Sequence, residues 1–309
     1  MRAKHVTKAL ALASALAALL SPRPVRACAC GCGIFEVGTS SMFPSGSGGT
    51  FFFEYDFMDQ NRNFSGGSSA PAEDNPDKEI RTHFMRAGIQ YMFDRRWGIQ
   101  AEVPAWNRTF RTTDEQGNIV SFRHSDLGDI RIKGIYTGFS PDLTTGVTFG
   151  LKLPTGDYTY PNFDRDTEIG TGSTDLLLGA FHRDSLTKDN RWTWFAQAQW
   201  DQPFTTRGGY RPGTEIDAAG GIYYGGWSPG SARVSPVLNV VGSVRSRDSG
   251  GAADPDNSGY ERVLVAPGIE VHAGPLMVYG DVEFNVYAHV NGNQLLARQV
   301  FKLIAGTTF

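Results

Sequence analysis

Apolar and polar residues alternate with a period of two over most of the chain from residue 50 onward. In the last stretch, 298–309, Phe301, Leu303, Ala305, Thr307 and Phe309 share one parity, and Lys302, Gly306 and Thr308 the other. That spacing sets the two groups on opposite faces of one extended strand. The rhythm recurs at 81–93, where Met85, Ala87, Ile89, Tyr91 and Phe93 oppose Arg86, Gly88 and Gln90, and again at 97–106, 125–139 and 143–153. It is clearest at 191–201: Trp192, Trp194, Ala196, Ala198 and Trp200 face one way, Gln197, Gln199 and Asp201 the other. Segments at 51–57, 173–183 (weakly alternating), 214–224, 232–243, 261–272 and 276–288 complete a set of twelve with 295–309. Their lengths approach the roughly ten residues of a tilted membrane-crossing strand.

The connections alternate as well. Long polar ones at 60–80, 110–123, 154–172, 202–213 and 246–259 take turns with short ones near 94–96, 140–141, 226–230 and 273–275 and a moderate one at 184–190, and a shorter loop follows at 289–294. Barrels with long outer loops and short periplasmic turns sort their loops this way, and an even strand number leaves both termini periplasmic. The rival is a soluble all-β protein whose apolar faces meet a core. Against it stand charges of both signs on the opposite face of nearly every strand, and Trp and Tyr gathered near strand ends, where membrane girdles belong. The predicted fold is all-β: a twelve-stranded antiparallel transmembrane β-barrel over 50–309. A final strand ending on Phe309 also resembles the insertion signal of outer-membrane porins. That resemblance implies the barrel-assembly machinery and outer-membrane lipid as partners.

Composition changes this picture little. Mean hydropathy is −0.29, as it must be when only every second strand residue meets lipid. A net charge of −3 without a basic stretch past the N-terminus leaves no footprint for nucleic acid. Arg2, Lys4 and Lys8 ahead of the apolar run 9–20 read as a signal peptide over 1–27, cleaved after Ala27. No later run is long and apolar enough for a membrane helix. Residues 28–49 are rich in Cys, Gly and Ser and read as a periplasmic tether. Cys28, Cys30 and Cys32 have chelate spacing that suits Cu(I) or a shared zinc site, and an odd thiol suits intermolecular pairing. There is no C-x-x-C-H haem motif, and no cofactor is expected.

The stretches F-G-L-K-L-P-T-G-D-Y (149–158) and I-G-T-G-S-T-D-L-L-L-G (169–179) resemble the outer-membrane family named for the meta-pathway of phenol degradation. The resemblance implies a bacterial outer-membrane channel or transporter for small, hydrophobic or aromatic compounds. Independently of it, Pro154 suits the end of a strand because it has no N–H for the ladder. Thr155, Gly156, Asp157 and Tyr158 suit a turn, while Gly170 and Gly172 allow close backbone approach. This loop reads either as a structural connection or as a constriction folded inward.

Parity gives the inward set as Arg86, Glu102, Asp129, Arg131, Lys133, Lys152, Asp201, Asp217, Arg233, Glu270, Asp281, Glu283 and Lys302. Both signs are present, so most of these groups are expected to pair across a filled interior rather than form a one-signed selectivity ring. Asp157, Asp164, Asp166 and Glu168 crowd one loop without the ligand order of a calcium loop and read as solvated. An alternative is an outer-membrane lipid hydrolase like the twelve-stranded phospholipases, and a third is a closed structural barrel. The hydrolase reading is weak: His124 and Ser125 are the tempting pair, yet neighbours in a strand face opposite ways. No enzyme is expected.

Overall fold

The computed structural model describes residues 43, 44 and 46–309. The expected signal peptide and Cys28, Cys30 and Cys32 lie outside the described residues. Among the described residues the chain forms thirteen strand segments: β1 (Gly48–Gly66), β2 (Ser68–Ser69), β3 (Asp77–Met92), β4 (Trp97–Thr113), β5 (Ile119–Leu127), β6 (Arg131–Tyr136), β7 (Thr145–Lys152), β8 (Thr174–Ser185), β9 (Trp192–Thr205), β10 (Glu215–Tyr224), β11 (Ala232–Arg245), β12 (Tyr260–Ala273) and β13 (Leu276–Thr308). Each neighbour pair is antiparallel, and β13 returns to β1, so eleven segments close a ring with β2 and β5 paired outside that path. Closure runs from Thr50 opposite Thr308 to Gly66 opposite Val290. It ends with the reciprocal Gly49 and Phe309 N–H to carbonyl bonds at 2.8 and 2.9 Å. A closed ring leaves no strand edge to be satisfied by solvent.

The period of two is realised as burial. Phe51, Ile89, Ile99, Phe149 and Leu303 point out of the ring and are exposed, while Glu54, Arg86, Glu102, Lys133 and Lys302 on the other parity are buried inside it. Trp97 with Tyr136 (4.6 Å between centroids) and Trp192 with Tyr224 (4.9 Å) collect at the end that carries the short turns, the start of β1 and Phe309, here the terminal end.

Several boundaries differ from the sequence expectation. The expected loop 110–123 is a continued hairpin, with β4 running to Thr113 and β5 starting at Ile119. The polar residues there pair on as strand, from Thr109 opposite Arg123 to Thr113 opposite Ile119. The expected strand 125–139 breaks at 128–130 into β5 and β6, both of which pair with β4. The first connection shrinks to 67–76 because β1 extends to Gly66. The weak alternation at 173–183 also has a cause: Leu177 and Phe181 are apolar and buried on the inner face.

Candidate functional site

The break at 128–130 receives the loop between β7 and β8. Strand β7 ends at Lys152, and the next residue's N–H, that of Leu153, reaches the Ile130 carbonyl at 2.8 Å. Pro154 follows with no N–H to extend the ladder. The Thr155 hydroxyl then serves both sides of the gap, donating to the Gly128 carbonyl (2.9 Å) and accepting from the Ile130 N–H (2.9 Å). Asp129, aimed inward, clamps the two ends of the loop. Its Oδ1 accepts the Gly156 N–H at 3.0 Å, and its Oδ2 accepts the N–H and hydroxyl of Thr171 at 2.8 and 2.6 Å. One carboxylate with three donors is a strong, charge-assisted lock.

The loop it holds lies inside the ring. From the neighbouring strand β4, Arg108 donates to the carbonyls of Thr167 (2.5 Å) and Glu168 (3.2 Å) and lies over the Trp106 ring at 4.7 Å. Arg165 donates to the Thr171 carbonyl at 2.5 Å and is held between the rings of Tyr158 (5.0 Å) and Tyr210 (4.4 Å). Gly172 closes the neck at φ +66°, where a side chain would be strained. Burial raises the Glu168 carboxyl to about 7, against a lowering hydrogen bond from the Tyr160 backbone. Its Oε2 is buried without a hydrogen-bond partner.

Below the loop, the inner face is laced by ion pairs that the register sets up. Glu54 stands opposite Arg86 across β1 and β3, and their side chains meet at 2.5 Å. Glu102 accepts from Arg86 (3.4 Å), Lys133 (3.1 Å) and Gln100 (2.6 Å). Lys152 pairs with Asp175, and with Asp201 at 3.4 Å. Lys302 pairs with Glu283 at 2.9 Å, and Tyr279 donates to Asp281. Asp217 accepts from Ser243, and Glu270 meets His272 at 2.7 Å. Arg131 stands opposite both Glu102 and Lys152 in the register. Of the expected inward set, Arg233 is exposed and lines a wide opening at the terminal end instead of joining this lattice.

Two features lie outside the sequence reading. Arg108 continues the inner parity of Gln100 and Glu102, a signal hidden by ending that strand at Trp106. Phe43, from the Gly- and Ser-rich segment, enters the ring, stacking on Phe181 at 4.5 Å and edge-on to Phe195 at 5.8 Å. The neighbouring Pro44 carbonyl accepts from Arg183 at 3.1 Å. These rings join Ile135, Tyr223, Met277 and Ile304 in an apolar cluster inside the barrel.

The interior is thereby divided. A pocket of about 520 Å³ lies above the loop, and a chamber of about 110 Å³ beneath it is lined by Phe84, Trp106, Arg131, Lys152 and Tyr210. A smaller one of about 70 Å³ lies between Phe43 and the Arg86–Glu102 pair, and an opening of about 650 Å³ lies beyond Phe43. His124 and Ser125 diverge as strand neighbours must: Ser125 accepts from Asn107 at 2.7 Å, and His124 stacks on Tyr160 of the loop.

No family model and no curated protein matches the sequence. Among solved structures the chain is similar to the COG4313 outer membrane channel from Pseudomonas putida F1, with a TM-score of 0.64 at 13% identity over 89% of this chain and all of that one. It is also similar to the β domain of the Bordetella autotransporter BrkA, with a TM-score of 0.51 at 10% identity over 85% of this chain and all of that one. The class that the fold defines is the outer-membrane-type β-barrel.

Proposed function

We propose that the protein is an outer-membrane channel for small hydrophobic or aromatic compounds, closed at rest by the loop 154–172 and by Phe43. The observation that carries this reading is the loop itself, held inside a closed ring by Asp129 and Arg108 between two cavities. A connection with a purely structural role has no need to be folded into the ring and fastened at both ends. The chamber beneath it offers aromatic faces beside charged groups. At about 110 Å³ it is smaller than the ~150 Å³ of an engineered cavity that takes benzene, so an aromatic solute enters only once the loop opens.

The wall is read as twelve-stranded. Strand β13 pairs with β12 over its first half and with β1 over its second, with Gly292 at φ +61° between the halves, so it counts as a hairpin. The segments β5 and β6 share one partner and count as one strand. The exposed apolar parity and the aromatic rim at the terminal end support insertion in a bacterial outer membrane with both termini periplasmic. The likeness to a solved outer membrane channel and the L-P-T-G-D-Y motif point the same way. Arg86, Glu102, Lys133, Lys152 and Lys302, with their partners, then line and brace the conduit. The test is solute swelling of proteoliposomes carrying the Gly170→Val, Phe43→Ala double variant, in which both closures are removed: benzoate should permeate faster than a disaccharide, and equal exclusion of both would remove the channel reading.

A further inference from the structure

We propose that His124, Asp126 and Asp157 bind a divalent transition-metal ion of the zinc class, which ties the inserted loop to the β4–β5 hairpin. One ligand atom from each residue lies within 4.8 Å of the other two. Metal–ligand bonds of about 2.0–2.2 Å then need only small side-chain shifts. His124 and Asp126 share a face of β5 because they are two residues apart, and Asp157 comes from the start of the loop.

Each ligand is already oriented. Oδ1 of Asp126 accepts the Leu127 N–H at 2.7 Å. Oδ1 of Asp157 accepts the N–H and hydroxyl of Thr159 at 2.9 and 3.1 Å, leaving its Oδ2 3.7 Å from His124 Nε2. The imidazole lies flat on Tyr160 at 3.8 Å and edge-on to Phe163 at 6.1 Å. His124 Nδ1 is buried without a hydrogen-bond partner. Nε2, the nitrogen that faces Asp157, is the one that would coordinate, and it sits on a ring already largely withdrawn from water. One imidazole with two carboxylates suits zinc and its neighbours better than calcium or magnesium, which prefer all-oxygen shells. Three protein ligands leave room for water in the remaining positions.

The test is a ZnCl2 titration of the full mature chain in detergent by calorimetry, with Cys28, Cys30 and Cys32 replaced by Ser in a parallel series to remove thiol sites. One Zn²⁺ per chain is expected to remain in the Ser series, weakened at least tenfold by Asp126→Asn, Asp157→Asn and His124→Ala. Zn²⁺ should also slow tryptic cleavage at Arg165 in the parent and not in these variants. Retention of the folded form in a heat-modified gel shift checks each variant. Asp126 is exposed, so its substitution leaves the wall intact even where the others fail. No stoichiometric binding in the Ser series, or binding unchanged in Asp126→Asn, overturns the site. Both readouts are independent of transport, so failure of the channel reading leaves them interpretable.

Discussion

A side chain on Gly156 would stand 2.9 Å from the Cα of Gly170, so the two ends of the inserted loop meet backbone to backbone. The Gly170 N–H completes the contact, donating to the Asp157 carbonyl at 2.6 Å. Gly128 lies on the same spot, its Cα 3.0 Å from that position. Three glycines therefore make the neck through which the loop enters the ring.

Widening that neck should expel the loop and spare the wall. Gly170→Val places a branched side chain where backbone already lies. The expected outcome is trypsin cleavage at Arg165, which its two flanking rings protect in the parent, with no change in heat-modified mobility.

Asp129 holds the neck by charge-assisted hydrogen bonds, each worth roughly 1.5–3 kcal/mol. Asp129→Ala should raise amide exchange at Gly156 and Thr171 on the order of ten- to a hundredfold, while exchange along β9 to β12 stays unchanged. Equal protection in parent and variant would refute the clamp.

Glu168 makes the loop sensitive to pH. Its carboxyl is raised to about 7, with burial the largest cause, the Asp157 charge adding to it and the Arg165 and Arg108 charges opposing. A group whose folded value is raised contributes stability fully below its unfolded value of about 4.5, and loses it as pH rises through about 7. Tryptic cleavage of the loop should increase between pH 5 and pH 8.5 with a midpoint near 7. Glu168→Gln, neutral throughout, should remove the dependence.

At the terminal end, Phe43 separates the cavity of about 70 Å³ from the opening of about 650 Å³. Phe43→Ala should join them and raise the swelling rate of proteoliposomes with small solutes several-fold when combined with Gly170→Val. The two single variants should each give less than the pair, because either closure suffices alone.

The wall was readable from parity because a two-residue period has one geometric meaning in a strand. Arg86, Glu102 and Lys133 were placed on the inner face by it, and the register then explains their pairing. Asp129 could be named in the same way, yet its task could not, because the break at 128–130 depends on a loop arriving from 25 residues later. Phe43 was invisible for another reason: one aromatic in a Gly- and Ser-rich run carries no periodicity. Of the apolar cluster around Phe181, Phe195 and Ile304, only Phe181 left a trace in the sequence, as weak alternation at 173–183, since residues filling a barrel's interior look like residues facing lipid.

The most direct test of the account is single-channel conductance in planar bilayers, comparing the parent with Asp129→Ala combined with Phe43→Ala. The parent should insert and pass small or rare steps, and the variant several-fold larger ones. Insertion with identical conductance in the two proteins, or no insertion of a folded parent at all, would contradict a membrane channel closed by the loop 154–172.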